Sequence, residues 1–171
     1  MVKSAKKWWT SPLFETLFPN LSESEVDNLL TYMLKGTYYQ SMDVKGRMSF
    51  PAKLREIIGE KFTVTKGLDG CLFVYSDENF QAKAEKIKSL PLAKGRALQR
   101  HFMAWAHDVE VDKQGRILIP QNLRDAAGLE KEIVVVGVSD RCEIWDKKRW
   151  EELNSSVDEE ELMNALEDVD F

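Results

Sequence analysis

"DVKGRMSFPAKLRE" (Asp43–Glu56) and "DKQGRILIPQNLRD" (Asp112–Asp125) are nearly the same phrase, written 69 residues apart. Asp43, Gly46, Arg47, Pro51, Leu54, Arg55 and Gly59 recur as Asp112, Gly115, Arg116, Pro120, Leu123, Arg124 and Gly128. After one extra residue the likeness continues at an offset of 70. "TVTKG" (Thr63–Gly67) faces "IVVVG" (Ile133–Gly137), and "VYSDENF" (Val74–Phe80) faces "IWDKKRW" (Ile144–Trp150). A match of this length, in order and with one insertion, marks duplication of one structural unit.

Each copy reads as ββαββ with a trailing helix. "TYYQSMD" and "RMSF" are short segments joined through Val44-Lys45-Gly46, and Gly46 supplies the positive φ of a tight hairpin turn. Pro51 suits the first turn of a helix, where its missing N–H is no loss. Leu54, Ile57 and Ile58 then form an apolar face that Gly59 closes as a left-handed cap. The second copy repeats this with Pro120, Leu123, Ala126, Ala127 and Gly128. A second hairpin comes next in each copy, turning at Leu68-Asp69-Gly70 and at Ser139-Asp140. Between the copies two helices are expected, broken at Leu90-Pro91. Phe80, Ala84 and Ile87 share the face of one, with Lys83 and Lys86 off it. Leu98, Phe102 and Trp105 share the face of the other, with Arg96 and Arg100 turned away.

The resulting organisation is a 1–32 N-terminal segment, repeat one over 37–79, a helical connector over 80–107, repeat two over 108–151 and a tail over 152–171. Four-stranded units of this size have exposed edges and little core of their own. Two copies that pair about a pseudo-two-fold bury each other's edges. The expected fold is therefore mainly β with peripheral helices (α+β), a compact β-barrel made jointly by both ββαββ repeats.

The net charge of −5 argues against a nucleic-acid partner until its distribution is read. Residues 151–171 hold nine acids and no Lys or Arg, which leaves 24 bases against 20 acids in residues 1–150. The body is mildly basic and the tail strongly acidic, and mild basicity permits DNA binding without demonstrating it. Cys71 and Cys142 lie in apolar strand-like runs, as two buried free thiols rather than a disulfide or a metal site. His101 and His107 stand alone and read as packing or surface residues. No apolar run reaches the ~20 residues of a membrane span. The start of the chain lacks the uninterrupted apolar stretch of a secretory signal, so the expected location is the cytoplasm. No cofactor, metal or small-molecule substrate is expected.

"GTYYQSMDVKGRMSFPAKLRE", "TKGLDGCLFVY", "VDKQGRILIPQNLRDAAGLEKEIVVVG" and "EIW" together resemble the MraZ family of bacterial transcriptional regulators, from about Met33 to Trp150. Members carry two tandem SpoVT–AbrB-type units. The resemblance implies a swapped-hairpin, AbrB-like β-barrel and a ring-shaped homo-oligomer. It also implies a nucleoid-associated regulator, a repressor of the division and cell-wall gene cluster that includes its own gene. The DNA so bound is double-stranded, at short direct repeats in the promoter. The D-x-x-x-R motif of the family falls on Asp43 and Arg47, and again on Asp112 and Arg116. At the third position Lys45 meets Gln114, which leaves the second copy one basic side chain poorer there, although Lys113 adjoins it. Residues 1–32 precede the resemblance, as a lineage-specific extension or as the product of an upstream start codon.

The D-x-x-G-R turn has two readings. In one, Asp43 accepts turn amides, Arg47 pairs with it, and the hairpin is simply stable. In the other, Lys45, Arg47, Lys113 and Arg116 reach DNA, while Asp43, Gly46, Asp112 and Gly115 orient the turn. Arg55 and Arg124 come directly after a residue of the helix apolar face and read as internal ion-pair partners. Two other classes compete with a regulator. An enzyme would need a nucleophile–base pair, a phosphate-cradling loop or a metal-ligand spacing, and none occurs in the sequence. An oligomeric interaction scaffold keeps the assembly and binds no DNA.

Overall fold

The computed structural model describes residues 33–167. The expectation for residues 1–32 lies outside them. Among the described residues, eight strands and six α-helices succeed one another as two similar series. The first series is β1 (Leu34–Ser41), β2 (Arg47–Ser49), α1 (Ala52–Ile58), β3 (Lys61–Lys66), β4 (Leu72–Ser76) and α2 (Asp77–Lys88). A connector holds α3 (Leu92–Leu98) and a π-helical turn (Gln99–Met103). The second series is β5 (His107–Glu110), β6 (Arg116–Leu118), α4 (Gln121–Ala127), β7 (Glu132–Ser139), β8 (Cys142–Asp146) and α5 (Lys147–Ser155), with α6 (Glu159–Glu167) after it.

The hairpins β3–β4 and β7–β8 form where the turn residues place them, in antiparallel register from Phe62 opposite Ser76 and from Ile133 opposite Asp146. The first strands behave differently. Each D-x-x-G-R turn is present, yet β1 and β2 meet only at the single bridge Met42–Met48. Instead β1 pairs with β7 of the other repeat, β5 pairs with β3, and β2 pairs with β6. Exchanging strands covers edges that neither unit could cover alone.

The six-stranded sheet runs β1-β7-β8-β4-β3-β5, and β2-β6 form a separate ribbon. The expected closed barrel is not what the hydrogen bonding makes. Each first strand joins the far repeat at opposite ends of the sheet, so β1 and β5 never meet and the sheet stays open.

Both faces of the central strands are covered, which is why β3, β4, β7 and β8 read as continuous apolar runs. On one face Phe62, Val64, Leu72, Val74, Ile133, Val135 and Ile144 pack with Met48 and Ile117 of the ribbon. Leu54 and Ile58 of α1 and Leu123 and Ala127 of α4 join this core, while Lys53, Glu56, Asn122 and Asp125 keep the other face of each helix exposed. On the other face Phe73, Tyr75, Val134, Val136 and Trp145 pack against Phe80, Phe102 and Trp150. Lys83, expected on a solvated face, pairs with Asp140 at 2.7 Å. The connector departs from its expected period. Phe102 packs on the outer cluster and Trp105 on the main core, while Leu98 is exposed. The wider π-helical turn rotates the residues after it relative to those before it. The turn is tied down by Thr65 Oγ1, which donates to the Phe102 carbonyl, and by His101 Nε2, 2.8 Å from the Gly67 carbonyl.

Pro51 and Pro120 stand at the N-caps, one residue before the helices begin. Gly128 adopts the left-handed cap, whereas Gly59 has φ 91° with an extended ψ of −178°. Cys71 and Cys142 are free and buried, and burial pushes both thiols up to about 12. No helix of the described residues is long and apolar enough to cross a membrane.

Candidate nucleic-acid interface

The ribbon is where the two repeats present their basic turns together. Arg47 lies opposite Leu118, Met48 opposite Ile117 and Ser49 opposite Arg116. Facing residues on paired strands point the same way, and successive residues alternate. Met48 and Ile117 therefore point into the core, each 1% exposed. Arg47, Ser49, Arg116 and Leu118 occupy the other face, which no element among the described residues covers, and Leu118 is 56% exposed there. Two residues of strand place Arg47 and Arg116 about 7 Å apart along the ribbon and about 5 Å across it.

Each turn is built by its aspartate. Asp43 Oδ1 accepts the backbone N–H groups of Lys45 and Arg47, both at 2.9 Å, and Oδ2 accepts Arg47 Nε at 2.8 Å. Asp112 does the same for Gln114 and Arg116, at 2.9 Å throughout. The Arg47 backbone N–H, above all, holds the Asp43 carboxyl below its usual range, and the Arg116 N–H does so for Asp112. The glycines close the turns, Gly46 at φ 83° donating to the Asp43 carbonyl and Gly115 at φ 76° to that of Asp112. These φ values are those an L side chain avoids.

The carboxylate thus fixes one edge of each guanidinium, and both arginine side chains stay partly exposed. Lys45 and Lys113 are exposed at the tips, at the third and second positions of their turns, so they do not superpose. All eight residues singled out from the sequence lie in the two turns, and the ribbon joins those turns into one surface. Ser49 and Leu118 belong to that surface and were not singled out, because nothing local in the sequence shows that β2 pairs with β6. Arg55 and Arg124 make no ion pair among the described residues. The Nε of each is buried without a hydrogen-bond partner.

No group of three or more His, Cys, Asp or Glu side chains arranged to hold a metal occurs among the described residues. His107 Nε2 lies 3.1 Å from the Asn122 amide nitrogen, a structural contact.

Interlocked strands and a doubled basic turn define a tandem-repeat β protein whose two halves share one exposed ribbon. The model of the family described as "MraZ protein, putative antitoxin-like" matches residues 33–100 and again 102–170. The chain belongs to the MraZ family. The protein named Transcriptional regulator MraZ of Thermoanaerobacter sp. (strain X514) is 52% identical over 143 residues, covering 81% of this chain and 100% of that one. Its namesake from Lachnoclostridium phytofermentans is 58% identical over 120 residues, covering 70% and 85%. The solution structure of PHS018 from Pyrococcus horikoshii aligns over 62% of this chain and 91% of that one, at 16% identity and a TM-score of 0.30.

Proposed function

We propose that the chain is a sequence-specific, double-stranded-DNA-binding transcriptional regulator whose β2–β6 ribbon enters the major groove. The observation that carries this reading is the pair of matched Asp–Arg turns on one ribbon face that no described element covers. A two-stranded ribbon fits the ~12 Å major groove. Arginine fixed at one edge by a carboxylate is suited to bridge guanine O6 and N7 or to meet phosphate. Arg47 and Arg116 are the primary contacts, with Lys45 and Lys113 beside them. Asp43, Gly46, Asp112 and Gly115 hold the turns. Curated relatives named transcriptional regulators support the same reading.

One ribbon neutralises few phosphates and binds weakly alone. A ring-shaped homo-oligomer on short direct repeats answers this, since tethered contacts multiply affinity. Among the described residues the outer edges of β1 and β5 pair with no strand, and they are surfaces on which copies can add. Bound across the promoter of the division and cell-wall genes, its own included, such a ring represses by occupying the site. The location that goes with this is the cytoplasm, at the nucleoid. The chain acts by binding rather than turnover. The same open edges also suit a scaffold that assembles without DNA.

A mobility shift separates the two. The region upstream of the chain's own gene should be retained ~10³-fold more tightly than a scrambled duplex at matched salt. Equal retention of both duplexes, or of neither, contradicts sequence-specific regulation.

A further inference from the structure

Arg55 and Arg124 occupy matching places on α1 and α4, each one residue after a fully buried leucine, Leu54 or Leu123. An N–H buried without an acceptor is unfavourable, so an arginine kept in that state calls for a reason. The reason lies in what each guanidinium touches. A Cβ built on Gly46 would fall 2.6 Å from Arg124 Cζ and 2.7 Å from its Nε. A Cβ built on Gly115 would fall 3.2 Å from Arg55 Nη2 and 3.4 Å from its Cζ. Each arginine therefore packs onto the turn glycine of the other repeat. The same glycine peptides are held a second time from the same direction. Ile119, just ahead of α4, donates its N–H to the Gly46 carbonyl at 2.9 Å, and Phe50, just ahead of α1, donates to the Gly115 carbonyl at 3.0 Å.

We propose that Arg124 and Arg55 are positioning residues that act across the repeats. Arg124 sets the backbone of the first turn and hence the aim of Arg47. Arg55 sets the second turn and hence the aim of Arg116. A planar guanidinium packs where a Cβ would intrude, strongly at Gly46 and more lightly at Gly115, and lysine cannot imitate its plane. Gly46 is thus required twice, for its φ and for this approach, and Gly115 chiefly for its φ. The consequence for DNA rests on the function proposed above, whereas the crossed packing itself does not.

Hydrogen exchange on the full chain without DNA tests the crossing. Arg124→Met should speed exchange in the first turn, Val44 to Arg47, by about tenfold, and alter the second turn by less than about twofold. Arg55→Met should give the mirror result. Arg124→Lys should behave like Arg124→Met, since it keeps the charge and loses the plane. Unchanged exchange in β3 and β8 verifies that each variant is folded. An effect confined to the turn of the same repeat, an equal effect on both turns, no effect, or full rescue by lysine would each overturn the proposal. A wild-type chain that ignores its upstream DNA would remove the functional reading, yet the exchange pattern would still decide this one.

Discussion

The first turn, Asp43–Arg47, and the second, Asp112–Arg116, agree to within 0.1 Å in every hydrogen bond that shapes them. They differ at the tips, where Val44-Lys45 stands against Lys113-Gln114, and Val44 is 98% exposed. The skeleton needs an aspartate, a glycine and an arginine at fixed places. The two residues between them carry no structural duty beyond a backbone N–H and are free to diverge. On the proposed function, that freedom matters. Two-fold protein surfaces match two-fold sites, and unequal tips break the pseudo-symmetry of the ribbon, giving each subunit a direction. Direct repeats suit a directional reader better than inverted ones.

Among single substitutions, the largest effect should come from losing either arginine. Arg47→Ala and Arg116→Ala should each weaken specific DNA binding, by ~1–3 kcal/mol for every bidentate base pairing removed. Unfolding free energy should move only within about ±0.5 kcal/mol, as for other surface changes. Titration beside thermal melting checks both. Equal effects would say that the matched skeletons matter most, and unequal effects that the tips do.

Exchanging the tips sharpens the contrast with a smaller effect. Gln114→Lys should raise affinity for both duplexes and steepen the salt slope by about one for each phosphate that the new lysine neutralises. Lys45→Gln should lower affinity for both duplexes and shrink the salt slope by about one for each phosphate that the lysine neutralises. Binding to both duplexes at two salt concentrations reads both outcomes.

Acid should not distinguish the turns at all. The folded Asp43 and Asp112 carboxyls lie below the ordinary range of ~3.9, so ionisation favours the closed turns. That stabilisation is fully present above ~4 and is lost as pH falls through the lowered folded values. The amide shifts of Arg47 and Arg116 should hold steady from neutral pH to about 5 and then move together below about 4. The smallest expected signal is at the thiols. With both pushed up to about 12, native Cys71 and Cys142 should resist maleimide at pH ~8 and react promptly only after unfolding. The sign is opposite to that of the aspartates: the fold bears no penalty from these thiols below about 9, and it loses stability as pH climbs from there toward 12, where only the unfolded chain can ionise them.

The sequence made local features legible. The turns at Gly46 and Gly115, the hairpins at Asp69 and Ser139, and the helices after Pro51 and Pro120 arise from residues adjacent in the chain. The repeat also foretold that the two units would share edges. Which strand crosses to which was hidden, because β1 reads alike whether its partner is β2 or β7. The π-helical turn at Gln99–Met103 left no mark, since it widens a helix without a proline or glycine to announce it. Cys71 and Cys142 both read as buried strand residues, yet they lie in separate clusters on opposite faces of the sheet. Arg55 and Arg124 were visible as a repeated Leu-Arg pair, and their role was not, because the glycine each one touches belongs to the other repeat.

The claim that the ribbon face is the DNA surface stands or falls with the Arg47→Ala, Arg116→Ala double variant. It should be titrated against wild type on the upstream duplex and on a scrambled one at matched salt. The double variant should keep its oligomer mass and melting temperature and bind the upstream duplex more weakly than either single variant. An intact oligomer that binds and discriminates the two duplexes as wild type does would make the turns purely structural and place the DNA contact elsewhere.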